Sequence, residues 1–344
     1  MSTASIAWFG EVGIADRPTV GGKGGSLGEL TGAGIAVPPG FVVTTHAFEQ
    51  FLAALEAREP VRGKVEALDH TDLGAVTRLS EELRRRVIEE AMPAEVEQAI
   101  LAAHAELGAA QVAVRSSATT EDAEDASFAG LQDTFLWVLS PEDTVARVRE
   151  CWGSLYSVES MTYRRKHDFP EDGVAMAVVV QQMVDARCAG VMFTRSPTTG
   201  DKSVITVEGA WGLGSAVVSG EVTPDKWVIG KITGEIQQRD ISHKHAKQVP
   251  AEGGGIVEVE LEAGEANAPC LSDDDLQALR DVGRRIERHY GKSQDIEWAL
   301  DKQGKILLLQ SRPETVWSAR DAAPVAAPVA NPMAHVMNIF GGKR

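Results

Sequence analysis

Three stretches of the chain put charged side chains where they could act on a phosphate or a metal ion. In the first, Lys23 lies inside the run Gly21-Gly22-Lys23-Gly24-Gly25-Ser26. Consecutive glycines let backbone amides approach a phosphate, a following helix offers its positive end, and the lysine adds a point charge. Gly24 follows the lysine where a P-loop has Ser or Thr, and no G-x-G-x-x-G spacing occurs, so neither nucleotide fingerprint applies. A flexible glycine turn with a solvated lysine accounts for the same residues equally well. In the second stretch a short strand, Val112 to Val114, delivers Arg115, Ser116 and Ser117. An arginine at a strand end can clamp phosphate through paired N–H donors. The acidic run that follows, Glu121, Asp122, Glu124 and Asp125, reads as a solvated loop in preference to a metal site.

The third stretch is a pair of C-terminal strands. Alternation puts Asp295 and Glu297 on one face of the first, and Gln310 and Arg312 on one face of the second. Facing strands would gather carboxylates, an amide oxygen and a guanidinium, a set of hard oxygens that suits magnesium together with substrate phosphates. A structural salt bridge across the hairpin is the competing account. His243 and His245 flank Lys244, but two histidines alone make no zinc site, and surface positions are expected for both. No glycine-flanked serine nucleophile with plausible partners is found.

Positioning such groups requires both helices and strands. After the glycine run a short helical pattern covers residues 27–32, and Pro38-Pro39-Gly40 supplies a turn before a strand at 41–44. Thr44 or Thr45 can cap a helix through Phe48, Phe51 and Leu52. Spacings of three and four predict two amphipathic helices over 75–107, broken near Pro93. Further strands are expected at 134–139, 174–184, 190–194, 204–207 and 226–229, and helices at 145–163 and 273–290, the latter capped by Ser272. Strands at 295–300 and 306–310 close a hairpin around Gly304. The alternation is too irregular for a doubly wound parallel sheet, so the fold class is α+β. After Trp317 an Ala/Pro-rich stretch through Pro332 reads as an extended linker. In the tail at 333–344, Val336, Met337, Ile339 and Phe340 offer apolar anchors for a partner, with a disordered terminus as the alternative.

With 344 residues, 43% of them hydrophobic, the chain has material for about two domains with a sizeable core. Fifty acidic against 34 basic residues give a net charge of −16, which disfavours nonspecific binding to nucleic acid or to an anionic membrane. Cys151, Cys188 and Cys270 form no CxxC pair and read as small buried apolar residues in a reducing compartment. No basic segment followed by an apolar run opens the chain, and a cytoplasmic location is expected.

Seven motifs in order resemble one family. They are VGGKGGSLGE from Val20, VRSSATTED from Val114, ASFAGLQDT from Ala126, WGLG from Trp211, TPD from Thr223, DIEWA from Asp295 and QSRPET from Gln310. Together they are similar to the nucleotide-binding domain shared by phosphoenolpyruvate synthase, pyruvate phosphate dikinase and rifampin phosphotransferase, over about Phe9 to Val316. The resemblance implies an ATP-grasp fold, with ATP held between an N-terminal lobe at 1–190 and a C-terminal lobe at 191–317, followed by the linker and tail at 318–344. It implies that Lys23 and Arg115 hold ATP phosphates, with Gly130 and Thr134 against them and Gln181 near the nucleotide. Glu297 and Gln310 would bind Mg2+, and Arg312 would lie on the transferring phosphate. The implied activity is that of a dikinase-type phosphotransferase component, which passes phosphate from ATP to a histidine and forms AMP and phosphate overall.

None of the eight histidines lies in the glycine-rich phosphohistidine motif of that family. The resemblance therefore implies a phosphohistidine-bearing domain or subunit and an acceptor-binding one as partners, an arrangement similar to phenylphosphate synthase. The acceptor would be phenol, pyruvate or an antibiotic. Ser215 stands where relatives usually carry Glu. A nucleotide-binding regulatory subunit without catalysis is the alternative, and retention of Lys23, Arg115, Glu297, Gln310 and Arg312 argues against it.

Overall fold

A computed structural model describes residues 4–119, 122–123, 126–127 and 133–317. Two antiparallel sheets carry the fold. The first is built from β1 (Ile6–Trp8), β2 (Gly40–Val43), β3 (Val112–Ala118), β4 (Thr134–Val138) and β5 (Met176–Gln182), in the order β1-β2-β5-β3-β4. The second contains β6 (Ala186–Phe193), β7 (Val204–Trp211), β8 (Asp225–Gly230) and β9 (Ile236–Asp240). A separate hairpin, β10 (Ala246–Pro250) with β11 (Ile256–Glu260), follows in sequence. Strands β12 (Gln294–Asp301) and β13 (Ile306–Pro313) complete the second sheet, whose order is β9-β8-β7-β6-β12-β13. Helices and antiparallel sheets thus combine as α+β.

The helices expected over 75–107 lie at Leu73–Glu89 and Ala94–Leu107, with Pro93 as the N-cap of the second. Their apolar stripes meet the first sheet together with the helices Thr45–Glu56 and Pro141–Ser154. Trp152 is fully buried there, its ring centroid 5.0 Å from that of Phe51 and 5.7 Å from that of Phe48. Its indole N–H donates to the Met176 carbonyl at 3.1 Å, which satisfies the one polar atom of the side chain. The helix expected over 145–163 is two, Pro141–Ser154 and Val158–Lys166, separated by a turn in which Ser157 caps the second. On the second sheet the helix Asp273–Tyr290 buries Leu276, Leu279 and Ile286. Ser272 caps it as expected, its Oγ accepting from the Asp275 amide at 3.2 Å.

The glycine run departs from the loop expected of it. A helix spans Arg17–Gly32 and is interrupted only at Gly21, whose φ of 71° and ψ of 179° suit glycine alone. Beyond the break Gly22 to Gly32 are helical again. Several of these glycines serve close packing: a Cβ on Gly28 would lie 2.3 Å from the Val12 carbonyl oxygen, and one on Gly24 3.0 Å from Val42. Helix propensity, which disfavours glycine by about 1 kcal/mol per residue, is overridden by this tertiary contact.

All three cysteines are buried free thiols. No helix among the described residues is long and apolar enough to cross a membrane. The Ala/Pro stretch, the tail, Gly130 and most of the 126–132 motif lie outside the described residues.

Candidate functional site

A cleft of about 720 Å³ opens between the two sheets, and Lys23, Arg115, Thr134, Gln181, Glu297, Gln310 and Arg312 all line it. Gly130, the remaining residue expected at the site, lies outside the described residues. The first sheet delivers its share from neighbouring strands: Arg115 pairs with Thr134 of β4 and with Val179 of β5, while Gln181 faces Ala113.

The second sheet delivers its share from three adjacent strands. Along β12 the alternate residues Asp295, Glu297 and Ala299 face the cleft, and they pair with Phe193, Val191 and Ala189 of β6, which also line it. On the other side Asp295 pairs with Arg312 and Glu297 with Gln310, so the two shared faces expected from alternation do meet. A β-bulge between Glu297 and Trp298 makes this pairing compatible with Leu307 opposite Ala299. Strict alternation from Leu307 would turn Gln310 away from the cleft. The extra residue, Leu309, shifts the phase and brings Gln310 in, the re-aiming for which bulges are suited.

Arg115 joins the sheets. Its Nη2 donates to Glu297 Oε2 at 2.9 Å and to Gln310 Oε1 at 2.9 Å, while Nη1 donates to the carbonyl of Leu309, the bulged residue, at 2.8 Å. The side chain is 11% exposed. Sequence reasoning expected Arg115 on phosphate, yet here its guanidinium holds the two oxygens expected to bind a metal.

Lys23 lies in the first turn after the Gly21 break, partly exposed and lining the cleft. Ser117 of β3 stitches that break. Its Oγ accepts from the Gly24 amide at 3.2 Å and donates to the Val20 carbonyl at 2.9 Å. Ser26 of the same helix donates to the Ser311 carbonyl. The lysine is thereby tied to β3, which carries Arg115, and to β13, which carries Gln310 and Arg312. The motif serines act in positioning.

Arg312 is half exposed, with Nε 3.5 Å from Asp295 Oδ2. Burial pushes the Asp295 carboxyl up to about 6, Arg312 opposing the shift and the nearby Glu314 adding to it. Asp295 Oδ1 is buried without a hydrogen-bond partner among the described residues. Sequence alternation placed Asp295 on the cleft face without assigning it to the site. Glu208, also in the cleft and 2.9 Å from Lys226, was missed. Its signal was the single carboxylate in the strand Val204–Trp211, whose other residues carry no charge. The other end of the cleft is apolar, formed by Val184, Ala186, Ala189, Leu213, Ala299 and Leu309. Gln181 is buried beside it, its amide N–H donating to the Pro38 carbonyl at 3.2 Å, which leaves Oε1 to accept.

Ser215 starts a short helix, Ser215–Val218, at the cleft wall and contacts Gln248, which in turn donates to Glu221 at 2.8 Å. His243 and His245 are exposed, as expected, and no group of three or more His, Cys, Asp or Glu side chains arranged for a metal occurs among the described residues. Lys244 between them is fully buried, its Nζ 2.6 Å from Asp225 Oδ1.

The cleft therefore combines an apolar slot with a cationic and carboxylate end. Comparison with known proteins gives the same direction. Residues 17–331 match the family model of the pyruvate phosphate dikinase AMP/ATP-binding domain. The chain is 42% identical over 316 residues to a probable phosphoenolpyruvate synthase of Methanothermobacter thermautotrophicus, covering 90% of this chain and 46% of that protein. It is 38% identical over 362 residues to the phosphoenolpyruvate synthase of Pyrococcus furiosus, covering 92% and 44%. A rifampicin phosphotransferase of Streptomyces is 42% identical over 319 residues, covering 92% and 36%. The chain thus spans less than half the length of these relatives.

Proposed function

The chain belongs to the pyruvate phosphate dikinase AMP/ATP-binding domain family, and we propose that it is the phosphoryl-donor component of a dikinase-type phosphotransferase. With water as co-reactant, one phosphoryl group of ATP passes to a histidine on a separate domain or subunit, and AMP and inorganic phosphate are the other overall products. A small molecule bound by a further domain or subunit is the final acceptor. The single observation that carries this reading is the convergence of Lys23, Arg115, Glu297, Gln310 and Arg312 on one cleft with an apolar slot beside them. The two sheets support an ATP-grasp reading with two lobes, an N-terminal one at 1–190 and a C-terminal one at 191–317.

On this reading the apolar slot takes the adenine ring, and Gln181 Oε1 accepts from its amino group. Lys23 and Arg312 neutralise phosphate charge at the opposite end, where positioning and charge stabilisation supply most of the catalysis of phosphoryl transfer. Glu297 Oε2 and Gln310 Oε1 are both within 2.9 Å of one guanidinium nitrogen, so two hard oxygens already converge on a single cation. That donor set fits Mg2+, which takes one or two protein oxygens and completes its shell with phosphates and water. When bound, the ion would neutralise and orient the polyphosphate.

Removal of the metal should weaken ATP binding by about tenfold, or about 1.4 kcal/mol. Isothermal titration with Mg2+ and then with EDTA checks this, and equal affinity in both would remove the metal role from Glu297 and Gln310. For the activity itself, the chain is mixed with labelled ATP and a protein bearing the family's phosphate-carrying histidine. AMP and an acid-labile phosphoprotein are expected with that partner, and little turnover without it. Vigorous phosphorylation of a small acceptor by this chain alone would overturn the assignment.

A further inference from the structure

We propose that Arg115 gates the metal site: its guanidinium keeps a bare divalent cation off Glu297 and Gln310 until a polyphosphate draws it away. The proposal rests on the reading of those two residues as metal ligands and adds an order of binding to it.

The argument starts from the three bonds of Arg115. One nitrogen is shared between Glu297 Oε2 and Gln310 Oε1, at 2.9 Å each, and the other is anchored to the Leu309 carbonyl at 2.8 Å. A guanidinium bound at such distances occupies the space in which a magnesium ion would approach the same oxygens, at about 2.1 Å from each. The two cations also repel, strongly so where solvent is partly excluded, and Arg115 is only 11% exposed. An arginine side chain is effectively always protonated, so this cation does not leave by losing its charge. The site is opened only by moving the side chain, and movement requires an anion that competes with one carboxylate, one amide and one carbonyl. A triphosphate carries more charge than that set and offers the paired oxygens a guanidinium prefers.

Arg115 stands between both kinds of partner. Glu297 and Gln310 hold its guanidinium, and Lys23 and Thr134 line the same cleft beside them. The same swing that frees two oxygens for a metal supplies a cation to the phosphates. Nucleotide and metal therefore bind with positive coupling, and by linkage each raises the affinity of the other by the same factor. The sequence expectation of Arg115 on phosphate and the contact seen here are two positions of one side chain.

The test uses Mn2+ as the probe, with bound and free ion counted by electron paramagnetic resonance. Titrations are run on the full chain with and without a non-hydrolysable ATP analogue. Without nucleotide, Arg115→Met should bind Mn2+ about tenfold or more tighter than the wild type, a difference of about 1.4 kcal/mol. The gain should vanish in the Arg115→Met/Glu297→Gln double variant, and the coupling between Mn2+ and the analogue should shrink in Arg115→Met. Arg115→Lys, which keeps a cation at the position and guards against a folding defect in the methionine variant, should continue to exclude the bare ion. Unchanged Mn2+ affinity in Arg115→Met, or an equal gain in Arg115→Lys, overturns the gate. Failure of the underlying reading is seen separately: Glu297→Gln alone would then leave Mn2+ binding with the analogue unaltered.

Discussion

Arg312→Ala is expected to lower phosphoryl transfer from ATP by about 10²–10³-fold while raising the dissociation constant for ATP by less than about tenfold. Arg312 is paired by register with Asp295 at the polar end of the cleft, two residues beyond Gln310 on the same face of β13. It is half exposed and its contact with Asp295 is long, at 3.5 Å, so the resting ion pair contributes little to stability. Its truncation therefore leaves the fold intact and removes a cation whose effect grows as charge redistributes during transfer. Lysine is not an adequate replacement, since a point charge cannot offer two parallel donors to a phosphoryl group. Rapid-quench measurement of AMP formation with a histidine-bearing partner, set beside calorimetric nucleotide binding, separates the two effects. Equal losses in binding and turnover would assign Arg312 to ground-state binding alone.

Asp225→Ala is expected to destabilise the second sheet by about 3–5 kcal/mol, because it strands a buried charge. Asp225 and Lys244 are both fully buried and 2.6 Å apart. Oδ1 also accepts from the Ser242 amide and Oδ2 from the Cys270 amide, each at 3.0 Å. The carboxylate thus pins the start of β8, the segment before β10 and the loop ahead of the Asp273–Tyr290 helix at one point. Removing it leaves two amides without their acceptor and an ammonium that keeps the Ser242 carbonyl at 2.9 Å but loses its carboxylate. Asp225→Asn, which keeps an acceptor at the position, should cost less, and Lys244→Met combined with it less still, since an uncharged pair needs no compensation. Urea denaturation midpoints order these variants. Neither residue lines the cleft, so nucleotide affinity measured well below the melting transition should not change. A drop in affinity without a drop in stability would give the Thr223-Pro224-Asp225 motif a role in the site.

These two residues illustrate different degrees of legibility in the chain. Arg312 was legible because a strand alternates its faces, so Gln310 with Arg312 and Asp295 with Glu297 had to share sides once a hairpin formed around Gly304. The amphipathic helices on either side of Pro93 and the Ser272-capped helix were legible for the same reason: local periodicity and capping chemistry depend on near neighbours only. Gln310 needed more. Its place in the cleft depends on the bulge at Leu309, and no local pattern announces a register shift that exists only between paired strands.

What required the tertiary structure is every feature set by partners distant in sequence. The glycine run looked like a loop because glycine disfavours helix; Gly22 to Gly32 are helical, Val12 lies too close to Gly28 for a Cβ, and Ser117 crowds the break at Gly21. Lys244 lies between two exposed histidines, and its burial beside Asp225 depends on a partner distant in sequence. Arg115 was recognisable as a cation for phosphate from a strand end expected at Val114, although β3 runs on to Ala118. That its guanidinium instead spans to Glu297, Gln310 and Leu309 follows only from the meeting of the two sheets. Residue types and short spacings determined which chemistry this chain can carry. The long-range packing of the two sheets decided which charges meet, because an ion pair depends on a distance in space that the order of residues does not contain.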